Sequence, residues 1–146
     1  MLKYALAAAL LLAAAGNGLA QQDPIEGASK RQRKPKPALP PPTEAELGVP
    51  VYPGARFDGD LSGGMSAEGQ KIWIYFSDDA PGKVVAFYQQ KTGKKADEWE
   101  TEKYMISLKG NAPLPEHGVT VETLAGNPLF EGKGKTVITV SRMAKK

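Results

Sequence analysis

Alternation of apolar and polar side chains is the most regular pattern in the chain, and it predicts β-strands. The clearest strand alternates Ile72, Ile74 and Phe76 with Trp73 and Tyr75. Successive side chains of a strand point to opposite faces of the sheet. The pattern therefore predicts that the isoleucines and Phe76 face the core and that the other two aromatic residues face away from it.

Similar patterns predict four further strands, which cover residues 55–61, 99–109, 119–124 and 136–143. Between the second and third strands the periodicity becomes helical: Pro81 opens a helix, Gly93 ends it, and Asp78 or Asp79 supplies the cap. A buried stripe on this helix is expected from the spacing of its apolar residues, which are Val84, Val85 and Tyr88.

These elements predict an α+β fold in the order β-β-α-β-β-β. We expect an antiparallel sheet of four to five strands, with the one helix packed on one face. Thr43 is expected to cap a short helical turn that ends at Gly48. The glycine-rich segment 62–70 is predicted to be a hairpin loop.

The first twenty residues of the chain predict export. Residues 1–20 have a positive residue, an Ala/Leu run and a small-x-small site at Gly18-Leu19-Ala20, which are the features of a signal peptide cleaved near Ala20. The run is shorter than the roughly 20 residues that span a bilayer, and no later segment suggests a transmembrane helix. We expect a soluble periplasmic or secreted protein, with no disulfide because the chain has no cysteine.

Residues 21–42 form a predicted disordered linker, rich in proline, lysine and arginine, that precedes a single domain at 43–146. The formal net charge of +3 comes from this linker, because acidic and basic residues nearly balance from Glu44 onward. A basic linker on a near-neutral domain does not predict nucleic-acid binding. The linker is expected either to act as a plain spacer or to dock on an anionic surface.

Candidate catalytic and metal-binding motifs are few. His117 is the single histidine, and no G-x-S-x-G motif accompanies it, so neither a serine triad nor a zinc site is predicted. The segment 132–136 resembles the end of a phosphate-binding loop, but its spacing and its following strand do not fit one. No cofactor is expected.

A partial calcium-loop pattern begins at Asp58. Asp60 and Ser62 occupy the third and fifth positions of such a loop. Glu68 is one residue too early to be the bidentate ligand, so this site is only an alternative to a polar hairpin.

The second face of the predicted sheet is the best candidate binding surface. Its expected members are aromatic, apolar and polar residues: Trp73, Tyr75, Met105, Thr120, Glu122, Val137 and Thr139. Interfaces are enriched in aromatic residues and methionine. We therefore predict binding through Trp73, Tyr75, Met105 and Glu122. A loop such as 113–118 folding over this face remains the alternative.

The stretch Leu47-Gly-Val-Pro-Val-Tyr-Pro-Gly-Ala55, with the later stretch from Phe76 to Tyr88, resembles a pattern in small exported bacterial proteins of unknown function. These proteins carry a Tyr-Pro-Gly-Ala turn, a strand ending in Ser/Thr-x-Asp, and a helix ending in Phe-Tyr. The resemblance covers residues 47–91. It implies export and an α+β fold, and it implies no catalytic residue.

The sequence thus predicts a non-catalytic interaction module of the cell envelope, whose partner is an envelope protein, an anionic surface or a second copy of the chain. One alternative is a hydrolase of envelope polymers that uses a pair of carboxylates, drawn from Asp78, Asp79, Glu122 or other acidic residues. The other is a carrier of calcium or of a small ligand.

Overall fold

The computed structural model describes residues 34–112 and 114–144. The helices in this part of the chain are α1 (Glu44–Leu47), α2 (Gly59–Met65) and α3 (Pro81–Thr92), with a 3₁₀ turn at Pro128–Phe130. The strands are β1 (Arg56–Asp58), β2 (Gln70–Ser77), β3 (Asp97–Glu100), β4 (Lys103–Lys109), β5 (His117–Thr123) and β6 (Thr136–Met143).

The six strands form one antiparallel sheet in the order β1-β2-β6-β5-β4-β3. The predicted α+β class is confirmed, and the sheet has slightly more strands than the four to five expected. The extra strand arises because the predicted strand 99–109 is a hairpin of β3 and β4. Its turn places Glu102 in a left-handed conformation, with φ of 56°, so a sequence without glycine or asparagine there gave no turn signal.

Helix α3 follows the prediction except at its cap. The N-cap residue is Ala80, which provides no side-chain hydrogen bond, so the prediction that Asp78 or Asp79 caps the helix is wrong. Pro81 opens the helix, and Gly93 ends it in the left-handed conformation. Among the expected buried residues, Tyr88 is 2% exposed.

The main core lies between α3 and the face of the sheet that we call the inner face. The strands contribute bulky apolar side chains to it: Trp73, Tyr75, Ile106, Val119, Val121, Ile138 and Val140. Trp73 and Tyr75 are only 4% and 5% exposed. The prediction that they face away from the core is therefore wrong, because β2 pairs with β6 so that Trp73 is opposite Val140.

The opposite face, the outer face, has a smaller apolar cluster at its β2–β6 end. This cluster consists of Ile74, Phe76, Leu124 and Val137, with Leu61, Ile72 and Phe130 packed against it. Helix α2 and the loop 124–135 supply the covering residues. Val137 is thus buried, although the sequence predicted it on an open face.

Helix α2 occupies part of the segment predicted to be a hairpin loop. The Asp58 carboxylate accepts a hydrogen bond from the Leu61 N–H at 3.0 Å, which caps the helix. The buried Ser62 hydroxyl donates to the Asp58 carbonyl at 2.6 Å and accepts from the Ile74 N–H at 2.8 Å. The Asp58 cap and the tertiary bond between Ser62 and Ile74 therefore hold a helix that three glycines would disfavour by themselves.

Residues 36–39, within the segment predicted to be a disordered linker up to residue 42, contact the domain, although most residues of 34–42 are exposed. The Leu39 N–H donates to the Gly59 carbonyl at 2.9 Å, and the Leu39 side chain contacts the main core. The predicted signal peptide, 1–20, and the linker residues 21–33 lie outside the described residues.

Candidate interaction surface

The predicted binding residues do not share one face of the sheet. Trp73 and Tyr75 belong to the inner core, where burial raises the pKa of Tyr75 to about 12. Met105 and Glu122 lie on the outer face and are half-buried. Of the four residues, only Met105 and Glu122 are therefore placed to contact a partner.

The smaller apolar cluster of the outer face includes no residue of β4, and part of strands β4 and β5 is left uncovered on this face. A row of half-buried side chains crosses the uncovered part, because Met105 pairs with Thr120 and Thr120 pairs with Thr139. The Thr120 hydroxyl lies 3.6 Å from the Met105 sulfur. This surface combines a large apolar side chain with short hydroxyl side chains, as the sequence pattern predicted for Met105, Thr120 and Thr139.

A hollow of about 280 Å³ lies beside Met105 and is lined by Asp97, Trp99, Met105 and Ala112. Trp99 is 50% exposed, the largest aromatic side chain in the described residues to remain so open. We call these four residues the outer hollow. Trp99 is not among the residues predicted to bind a partner, because it lies at the start of the predicted strand 99–109. Its charged neighbours in Asp97-Glu-Trp-Glu100 were the available sign of an exposed position.

The loop before β5 covers a neighbouring part of the outer face. A Cβ added at Gly118 would lie 2.7 Å from the Pro115 ring, so the glycine permits the buried proline to pack on the strand. The Ser107 hydroxyl is buried nearby and has no hydrogen-bond partner. The alternative that a loop folds over this face thus applies at Gly118, whereas the outer hollow stays open.

The strand beside the outer hollow is rich in carboxylates, of which Asp97 lines the hollow itself. Strand β3 is an edge strand, and its four residues, all exposed, include Asp97, Glu98 and Glu100. Lys103 pairs with Glu100 at 2.6 Å, and this hydrogen bond raises the pKa of the Lys103 ammonium. Charged residues on an edge strand discourage uncontrolled strand pairing. Trp99 is the one apolar side chain among the four residues of β3.

A second hollow, of about 320 Å³, is lined by Glu46, Lys71, Trp73, Arg142, Met143 and Ala144. Its aromatic member, Trp73, is 4% exposed and offers little contact area. The Arg142 guanidinium is already engaged with the carbonyls of Ala45 and Glu46, at 3.3 and 2.8 Å. The outer hollow is therefore the better candidate.

The carboxylates of the hydrolase alternative have structural partners. Asp78 accepts two hydrogen bonds from Arg56, at 2.8 and 3.1 Å. Asp79 accepts from the Tyr52 hydroxyl at 2.7 Å and from Lys83 at 3.0 Å. These contacts lower the pKa of both carboxyls, which favours the ionised form over the protonated form that a general acid needs.

Glu122, the third carboxylate of that alternative, lies on the outer face beside Lys103, its partner in the β4–β5 pairing. The carboxylates of Asp78 and Asp79 are instead held at the β2–α3 junction by Arg56, Tyr52 and Lys83. The structure therefore does not assemble the three into one constellation.

The residues of the calcium alternative lie on a helix and a turn. The Asp58 carboxylate caps α2 and pairs with Lys133 at 2.7 Å, while Ser62 is buried in the hydrogen bonds described above. Asp60 lies within α2, and Glu68 lies in the exposed turn before β2. Within residues 34–112 and 114–144, no group of three or more potential metal ligands is found.

His117, the first residue of β5, contacts the end of α1. Its Nε2 lies 2.6 Å from the Leu47 carbonyl oxygen at the end of α1. Burial lowers the pKa of this half-buried imidazole, against the effect of that hydrogen bond.

The glycine-rich segment 132–136 is tied to the start of α3. At its end, the buried Thr136 hydroxyl donates to the Asp79 carbonyl at 2.7 Å.

In the part of the chain that the structure describes, no helix has the length and apolar character needed to cross a membrane. Comparisons with protein-family models, with curated proteins and with solved structures find no match to this chain.

Proposed function

We propose that the chain is an exported, non-catalytic interaction module of the cell envelope, which binds a protein partner through the outer hollow and the adjoining open sheet face. The observation that carries the proposal is the half-exposed Trp99 beside Met105 in an apolar hollow. Tryptophan is among the residues that most often dominate binding energy at interfaces. Burying its exposed half against a partner would add apolar contact at little entropic cost.

The surroundings of the hollow suit a protein partner. Thr120 and Glu122 offer hydroxyl and carboxylate groups that can form hydrogen bonds at the rim, as is usual around an apolar interface centre. The charged edge strand beside the hollow would favour partners of complementary charge and speed their approach. The basic linker remains, in this proposal, a spacer or a tether to anionic surfaces.

The proposal is tested by binding variants to envelope extracts of the producing cells. Trp99→Ala is expected to reduce partner retention at least about 30-fold, the effect of a strong interface residue. Leu129→Ala is the control, because Leu129 is also a large apolar side chain, 82% exposed, and it lies in the 3₁₀ turn outside the outer hollow. Equal retention of both variants would contradict the proposal.

Export has a separate test. The protein recovered from the periplasm or medium is expected to begin near Gln21, which mass spectrometry of the intact chain measures. Recovery of the uncleaved chain from the cytoplasm would contradict the location and leave the binding test unaffected.

A further inference from the structure

We propose that one side of α2 is a peptide-binding groove for an extended, proline-containing segment, and that the chain's own residues 36–39 occupy it. The groove is independent of the outer hollow. The groove is defined by contacts at both of its ends and along its length, and each contact involves a different residue of the segment 36–39.

The segment runs antiparallel to the helix. At one end, the Lys36 ammonium donates to the Ser66 carbonyl, which belongs to the C-cap residue of α2. At the other end, the Leu39 N–H donates to the Gly59 carbonyl at 2.9 Å. The two ends of the segment are therefore bonded to the two ends of the helix.

The lengths of helix and segment match. The Leu39 carbonyl lies over Gly59 and the Pro37 carbonyl lies over Gly63. Between these two glycines an α-helix rises about 6 Å, at about 1.5 Å per residue. Two steps of an extended proline-type chain, from Pro37 to Leu39, also span about 6 Å. Pro37 fixes its own φ and keeps Lys36 extended, so this conformation is favoured before the segment docks.

Two glycines let the segment lie directly on the helix backbone. A Cβ at Gly63 would lie 3.1 Å from the Pro37 carbonyl carbon and closer still to its oxygen. A Cβ at Gly59 would meet the Leu39 carbonyl oxygen in the same way. Gly64, in the same helix, has no atom within 4 Å of its Cβ position. Glycine is disfavoured in helices, and the close approach of the segment explains two of the three.

The side chains give the groove its selectivity. Leu39 is half-buried and packs against the main core, while Ala38 between it and Pro37 is exposed. Pro37 is also exposed, and it meets Gly63 through its backbone carbonyl. The groove therefore selects a lysine and a leucine by their side-chain contacts, and it favours proline because this residue holds the chain extended. Ligands of this class are extended segments of the form Lys-Pro-x-Leu.

The first experiment measures amide hydrogen exchange at Leu39 by NMR in the full chain. Protection of this amide is expected to be at least about tenfold, the effect of one hydrogen bond that exchanges by local opening. Gly63→Ala should abolish the protection, whereas Gly64→Ala should preserve it. Unprotected Leu39 in the wild type, or equal loss in both variants, would overturn the proposal.

The second experiment does not depend on Gly63→Ala folding. The full-length variant Leu39→Asp should release the segment, and a synthetic peptide of residues 30–42 should then shift the NMR signals of Gly63 and Ser66. The wild type should respond at least about tenfold more weakly, because its tethered segment competes for the groove. If millimolar peptide leaves the NMR signals of Gly63 and Ser66 unchanged in Leu39→Asp, the proposal that the groove binds peptides is overturned.

Discussion

Replacement of Trp73 by alanine tests which face of β2 belongs to the core. Trp73 is 4% exposed and packs in the inner core, where its strand partner is Val140. Truncating a buried tryptophan costs about 3–5 kcal/mol of the free energy of unfolding. Domains of this size are stable by about 5–15 kcal/mol, so this loss is a substantial fraction of the total and is readily measured.

The assay is urea denaturation followed by circular dichroism. With a dependence of about 2 kcal/mol per molar urea, the midpoint of Trp73→Ala should fall by about 2 M. Trp99→Ala is the matched control, since its side chain is 50% exposed on the edge strand. It should change the free energy of unfolding by less than about 1 kcal/mol.

The two tryptophans thus separate the stability of the fold from binding. A loss below about 1 kcal/mol for Trp73→Ala would refute the placement of this residue in the core. Losses of similar size in both variants would refute the distinction between the inner face and the outer hollow.

Three other predictions concern local contacts. Ser62→Ala should cost about 1–3 kcal/mol of unfolding free energy, because it leaves the buried Ile74 N–H without an acceptor; an unchanged urea midpoint would argue against this bridge. Thr43→Ala removes the capping box of α1 and should cost about 0.5–2 kcal/mol in the same assay, and a neutral effect would contradict the cap. The pKa of Asp79 is lowered in the folded protein, and the hydrogen bond from the Tyr52 hydroxyl is the largest cause. The ionised Asp79 therefore stabilises the fold above its unfolded pKa of about 3.9, and this stabilisation is lost as the pH falls through the folded pKa. The stability difference between wild type and Tyr52→Phe should therefore be constant above that pH and shrink below it, and a difference that grows on acidification would contradict the hydrogen bond.

Local signals in the sequence predicted α3, the Thr43 cap and the strand segments β2, β5 and β6, because each depends on neighbouring residues. The same signals could not assign the faces of β2. Its last five residues, 73–77, are all buried, since α3 covers one face and α2 with the loop 124–135 covers the other. Alternation distinguishes two faces, but it does not show which is the core when both are buried.

Helix α2 was not predictable for a different reason. A segment with three glycines has a low helix propensity, and α2 forms because Asp58 caps it and Ser62 bonds to β2. The outer hollow was predicted only through Met105. Trp99 joins it through the β3–β4 hairpin, whose turn at Glu102 has no sequence signal of the usual kind.

Photocrosslinking in intact cells tests the proposed function most directly. A photoreactive amino acid replaces Ala112, which lines the outer hollow, or Ala86, which is exposed on α3 at the opposite face. The account predicts one specific adduct from position 112, none from position 86, and loss of the adduct on Trp99→Ala. An adduct at twice the chain's mass would identify a second copy as the partner. Binding through the outer hollow would be contradicted if the photoreactive residue at position 112 yields only the uncrosslinked monomer, or if both positions yield the same adducts.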